Sequence, residues 1–158
     1  MKEEIVIGID PDVTASGVAV VTGERCMLYS LNFGELVSFL QVWRDRDPFV
    51  VVEAGWLNQK ASWHCSPHEP NNVSAKKGLA VGRNQQIGHD IVDICRVYNL
   101  RVHEQIPLRK CWKGKDGKIT HEELTQFIQL DKKRSNQEER DAALLAWVVA
   151  GRPIRVKK

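Results

Sequence analysis

Ile5-Val6-Ile7-Gly8-Ile9-Asp10-Pro11-Asp12, followed by Thr14-Ala15-Ser16-Gly17, decides how the rest of the chain is read. An apolar run climbs to one carboxylate, Asp10, breaks into a turn, and returns as a second apolar run, Val18 to Val21. A short apolar run bounded by turn residues reads as a buried strand. A carboxylate at the end of such a strand needs a partner or a metal to offset its desolvation. Asp10 is therefore a candidate for chemistry. The alternative is an Asp that organises the turn through its own backbone, and this stretch alone leaves both open.

The chain has 158 residues, enough for one domain with a sizeable core. We take residues 1–151 as the domain and residues 152–158 as a basic C-terminal tail. No run approaches the roughly 18 apolar residues of a membrane span. The polar start, Met1-Lys2-Glu3-Glu4, does not resemble a signal peptide, so a cytoplasmic location is expected. Cys26, Cys65, Cys95 and Cys111 make no CxxC pair and are expected as reduced thiols. Net charge is only +3. The bases cluster, however: Arg109, Lys110, Lys113, Lys115 and Lys118 in one stretch, Lys132 to Arg134 in another, and four more in the tail. Clustered bases suit a polyanion, although alone they read as solvated loops.

After the first hairpin, Arg25 to Asn32 reads as a third strand, and Phe33 to Asp45 as an amphipathic helix stopped by Pro48. Phe49 to Val52 is a buried strand that ends on Glu53. Two apolar strands thus each deliver an acid at the C-terminal end, where open α/β sheets form their sites. Ala54 to Val73 holds Trp56, Trp63, His64, Cys65 and His68 and reads as a long loop. Ser74 can cap a helix to about Asn99, and Arg101 to Gln105 is a short strand. Thr120 with Glu123 forms a capping box for a helix through Leu130. Gln137 to Ala150 is the last helix, ended by Gly151 and Pro153. The order predicts an α/β fold: a mixed five-stranded sheet with helices on both faces.

Glu138 and Asp141 share a face at the start of the last helix. Acids in a first helical turn are expected on dipole grounds alone, but Asp141 stands further in, before Ala142-Ala143-Leu144-Leu145. If the segments converge, Asp10, Glu53, Glu138 and Asp141 share one pocket and raise one another's pKa. Divalent cations relieve such repulsion, and carboxylate oxygens suit Mg²⁺ or Mn²⁺. Two ions roughly 3.5–4 Å apart can activate a water and stabilise the leaving oxygen of a phosphodiester.

At these residues a resemblance appears. Residues 8–21, GIDPDVTASGVAVV, resemble the opening of the RuvC-type Holliday-junction resolvases of the ribonuclease H-like superfamily. The likeness recurs in order at VVVEAGW, at AVGRNQQIGHDIV, at Pro107 with its basic stretch, and at EERDAALLAWVVA. The resemblance implies a ribonuclease H-like nuclease that hydrolyses phosphodiesters in branched DNA with two Mg²⁺ ions, Mn²⁺ substituting. Asp10, Glu53, Glu138 and Asp141 would be the catalytic, metal-binding acids, with Asp10 bridging both ions. Trp56, three residues past the second acid, would stack on bases. Arg109, Lys110, Lys113 and Lys118, and Lys76, Lys77 and Arg83 on the long helix, would contact DNA. Symmetric cutting of two strands implies a homodimer. The chain departs from the family pattern at Asp12, where Gly is usual, and at Glu138, where Asp is usual and Glu139 competes for the role.

Other readings are weaker. His64, Cys65 and His68 offer three zinc donors where four are usual. Sugar-kinase and actin-like ATPases also open with a hairpin of this kind, but they need two such domains, and no GxxxxGK[ST] loop is present. A nuclease for flaps, forks or RNA–DNA hybrids, or a junction-binding module without catalysis, would share most of these features.

Overall fold

The computed structural model describes residues 3–58 and 70–156. Three strands open the chain: β1 (Ile5–Asp10), β2 (Ser16–Thr22) and β3 (Arg25–Leu31). They form an antiparallel meander, with Asp10 opposite Gly17 and Thr22 opposite Arg25. Gly23 enters the second turn at φ 62°, as a two-residue hairpin loop requires. Helix α1 (Phe33–Trp43) starts from Asn32, whose side chain accepts from the Glu35 amide in a capping box. Strand β4 (Phe49–Glu53) then pairs parallel with β1, and β5 (Arg101–Gln105) pairs parallel with β4.

Between β4 and β5 runs α2 (Asn71–Val97). It begins three residues before the predicted Ser74 cap, because Pro70 presents its carbonyl to the amides of Val73 and Ser74. It ends in a Schellman turn: Asn99 takes φ 56°, and Leu100 donates back to Cys95. Helix α3 (His121–Thr125) is far shorter than expected. The segment predicted to continue it turns instead into a short strand, β6 (Gln129–Leu130), parallel to β3. The free edge of β3 captures it: the Gln129 amide donates to Glu24, that of Asp131 to Cys26, and Asp131 Oδ1 accepts from Leu28. The sheet therefore has six strands, in the order β5-β4-β1-β2-β3-β6, and not five. The last helix, α4 (Gln137–Val149), closes the fold.

Strand alternation divides the core between the two faces. Ile7, Ile9, Val18, Val20, Val50 and Val52 pack beneath α1 and α2, against Leu36, Leu40, Ile91, Val92 and Cys95. Val6, Ala19, Val21, Leu28 and Val51 pack beneath α4 and α3, against Ala142, Ala146, Leu145, Leu124 and Trp147. By the same parity Asp10 and Glu53 stand on the α4 face. Helix α4 lies unusually close to the sheet there. A Cβ at Gly8 would collide with the Ala142 carbonyl, and one at Gly17 with the Glu138 backbone. The tail begins by folding back, with Trp147 Nε1 donating to Pro153 at 3.0 Å. Cys26, Cys95 and Cys111 are free thiols. Among the described residues no helix is long and apolar enough to cross a membrane.

Two substitutions with opposite signs test this packing. Gly8→Ala should destabilise the protein by about 1–3 kcal/mol, because the added methyl meets helix backbone that cannot yield. Gly82→Ala, in open space on α2, should stabilise it by up to about 1 kcal/mol. Urea denaturation of each variant reads both.

Candidate active site

Three elements meet at the C-terminal ends of β1 and β4. Asp10 closes β1, Glu53 closes its neighbour β4, and the first turns of α4 bring Asp141 over both. A cavity of about 310 Å³ opens there, lined by Asp10, Glu53 and Asp141 together with Trp56, Lys110 and Lys118. Its α2 wall adds Asn84 and Gln85.

The turn before the cavity is built by Asp12. Its Oδ1 accepts from the amides of Thr14 at 2.8 Å and Ala15 at 3.3 Å, closing an Asx turn. The amide of Val13 donates to Asn84 Oδ1 at 2.9 Å and ties the turn to α2. Asp12 is therefore the acid that organises this turn, which leaves the Asp10 carboxyl free to face the cavity.

The acids there repel one another. Burial pushes Asp10 well above the ordinary carboxylate range, and Glu53, Asp141 and Glu138 push it further, with Lys118 pulling the other way. Glu53 is also raised, by burial and by Asp141, while Lys118, a hydrogen bond with Asp10, and Lys110 hold it down. Asp141 is raised by burial, against a hydrogen bond from Gln137 and the charge of Lys118. Lys118 thus stands as a cation among three acids, its Nζ 3.6 Å from Asp141 Oδ2.

The other buried acids are fully occupied. Glu123 accepts from the Lys113 amide, the Thr120 amide and the Thr120 hydroxyl. Glu139 accepts from the Asn136 amide at 3.1 Å and pairs with Lys132 at 2.6 Å. Of the two neighbouring glutamates, Glu139 is thus committed to capping α4, and it is the charge of Glu138 that reaches Asp10.

The donor set fits a hard divalent cation: oxygen ligands only, half-buried, with raised pKa values that a positive charge would lower. As the side chains stand, no three of the described Asp, Glu, His or Cys residues surround a common point closely enough to hold an ion. Asp141 is held by Gln137 and Lys118.

No protein-family model and no curated protein matches this chain. Solved structures do. RuvC of Thermus thermophilus in complex with a Holliday junction substrate superposes with a TM-score of 0.52 at 19% identity, over 93% of each chain. A second Thermus thermophilus RuvC structure gives 0.50 at 19% identity, over 93% of this chain and 96% of that one. The chain has a RuvC-type fold. At this identity the likeness speaks for the fold, and the residues above speak for the site.

On the RuvC-type fold of this chain, Asp10, Glu53 and Asp141 converge, and Glu138 stands beside them without lining the cavity. Of the DNA-contact candidates, Trp56, Arg109, Lys110 and Lys118 line it. Lys113 is exposed outside it, as are Lys76, Lys77 and Arg83 on α2. Trp56 lies across Gly88 and packs against the His89 ring in a tilted pair, at a centroid distance of 4.1 Å. Trp63, His64, Cys65 and His68 fall outside the described residues. Asn84, Gln85 and Gln137 were missed. The first two carried a readable signal, since they lie four and three residues before Gly88 and so continue the buried face of α2 backwards.

The raised acids make stability depend on pH with a definite sign. A carboxyl whose folded pKa exceeds its unfolded one binds protons more tightly when folded, so stability is lost as pH rises from the unfolded to the folded value. Without divalent cations, the wild type should become less stable as pH rises from about 4 through these raised values, and Asp10→Asn should flatten the loss. Mg²⁺ should restore stability to the wild type at pH 7.5 and leave Asp10→Asn nearly unchanged. Urea midpoints at pH 5 and 7.5, with and without Mg²⁺, check this.

Proposed function

We propose that this chain is a metal-dependent endonuclease that cuts branched DNA, with four-way junctions as its substrate. The observation that carries the reading is the convergence of Asp10, Glu53 and Asp141 in one cavity bordered by Arg109, Lys110 and Lys118. The RuvC-type fold supports it, because the Thermus thermophilus RuvC of similar fold was solved with a Holliday junction substrate.

Asp10, Glu53, Asp141 and Glu138 would hold Mg²⁺ or Mn²⁺, two ions per site. When bound, such ions lower the pKa of a water and stabilise charge on the phosphodiester oxygens. The protein's own groups do the rest. Asp10 and Glu53, both raised by burial, give up any proton they hold, because a nearby positive charge favours the charged form. Lys118 leaves Asp141 and pairs with a phosphate oxygen of the incoming strand, a charge-assisted contact. Lys110 and Arg109 at the rim hold flanking phosphates and fix the register without reading sequence. Trp56, already seated on His89, offers its free face to an unstacked base. Two cuts across a junction need two such cavities, so the working form is a homodimer, acting in the cytoplasm.

Cleavage of a labelled four-way junction, against duplex, fork and RNA–DNA hybrid controls in Mg²⁺ and Mn²⁺, tests the proposal. Paired symmetric nicks are expected from the wild type, with a loss of more than about 100-fold in Asp10→Asn, since even supporting residues around a metal matter 10–100-fold. Cutting of forks or hybrids alone would keep the chemistry and change the substrate. Binding without cutting in either metal would leave a junction-binding module.

Lys110→Ala should weaken junction binding about equally for all sequences and reduce the slope of log K against log salt by about 1. A slope equal to that of the wild type would remove Lys110 from the phosphate contacts.

A further inference from the structure

The first two turns of α4 carry a hydrogen-bond network that the helix itself does not need. Gln137 Nε2 donates to Asp141 Oδ1 at 2.7 Å and to the Ile119 carbonyl at 3.2 Å. Arg140 Nη2 donates to Gln137 Oε1 at 2.9 Å, and Arg140 Nε to the same Ile119 carbonyl at 3.0 Å. Residues 137, 140 and 141 are neighbours on one helix face. The N-terminus of α4 is already satisfied by the Asn136–Glu139 capping box, so none of these bonds serves to start the helix.

We infer that Gln137, oriented by Arg140, is a positioning residue for Asp141: it occupies Oδ1 and presents Oδ2 to the cavity. The inference rests on the reading of Asp141 as a cation ligand. Arg140 has donors and no acceptor, so the end of the Gln137 amide that faces it is the oxygen. The amide nitrogen must then face Asp141. The terminal torsion of an Asp side chain is otherwise broad, and a single fixed donor narrows it. Because that donor is neutral, Asp141 keeps its full negative charge for a cation on the other oxygen. Oδ2 is the atom that faces Lys118, at 3.6 Å.

The same network places Lys118. Gln137 and Arg140 both grip the carbonyl of Ile119, the next residue along the chain. Arg140 also holds Ser135 through its carbonyl and hydroxyl, and the Ser135 hydroxyl lies 2.7 Å from His121 Nδ1. The loop that carries Lys118 is thereby tied to the helix turn that carries Asp141.

The test is Mn²⁺ binding to the full chain without DNA, measured by isothermal titration calorimetry, with urea denaturation alongside. Gln137→Met keeps the bulk and loses the donor. Gln137→Glu keeps the shape and turns an acceptor toward Asp141. Both should bind Mn²⁺ about 10-fold more weakly or worse, the range seen when a supporting partner of a metal ligand is lost. Gln137→Met should do so with a urea midpoint close to that of the wild type. Wild-type affinity in Gln137→Met would overturn the inference while leaving the acid cluster intact. A wild type that binds no Mn²⁺ would overturn the reading of the cluster itself, and this inference with it.

Discussion

The approach of one helix to one pair of strands, with no side chain between them, underlies the rest of this structure. Gly8 on β1 and Gly17 on β2 face the backbone of α4 at Ala142 and Glu138, and a methyl at either position would be driven into it. Ala142 and Ala146 complete a contact made of the smallest residues. The contact fixes where the first turns of α4 lie, and so brings Asp141 over Asp10 and Glu53. A bulkier interface would lift the helix and separate the acids. The neighbouring parallel pair β1 and β4 brings the other two carboxyls side by side, with Ile9 opposite Val52 one residue before them.

That arrangement stores electrostatic conflict in an otherwise well-satisfied fold. Among the described residues no buried side-chain nitrogen or oxygen lacks a hydrogen-bond partner. The buried acids Glu123 and Glu139 are each matched by backbone amides or a lysine. Asp10, Glu53 and Asp141 instead face one another, relieved in part by Lys118. Groups pushed to raised pKa values in a cleft by burial and by like charge mark functional sites. On the proposed function, a divalent cation would relieve this conflict more fully than the Lys118 ammonium does.

The fold was legible wherever local pattern and tertiary need agreed. The apolar runs of β1 and β4, and the acids at their ends, were readable because strand alternation alone puts Asp10 and Glu53 on one face. The capping box at Thr120 marked one helix start, whereas the one at Asn136 emerged only from the structure. The Thr120 box misled about the helix end, because the open edge of β3 took Gln129 and Leu130 as a strand, a tertiary contact that no local rule reports. Asp12 is a similar case. As a departure from the family's glycine it signalled a changed turn, but only the structure shows its side chain closing that turn. The link from Arg140 through Gln137 to Asp141 was invisible beforehand, since it depends on the Ile119 loop crossing the start of α4.

On the proposed function, the cluster of Asp10, Glu53 and Asp141 holds divalent cations. A crystal structure grown in Mn²⁺, with anomalous scattering collected at the manganese edge, tests it most directly. Anomalous density is expected between these carboxylates, with Lys118 withdrawn from Asp141 and Gln137 still bonded to Oδ1. A site without such density at saturating Mn²⁺, with Lys118 still against Asp141, would contradict it.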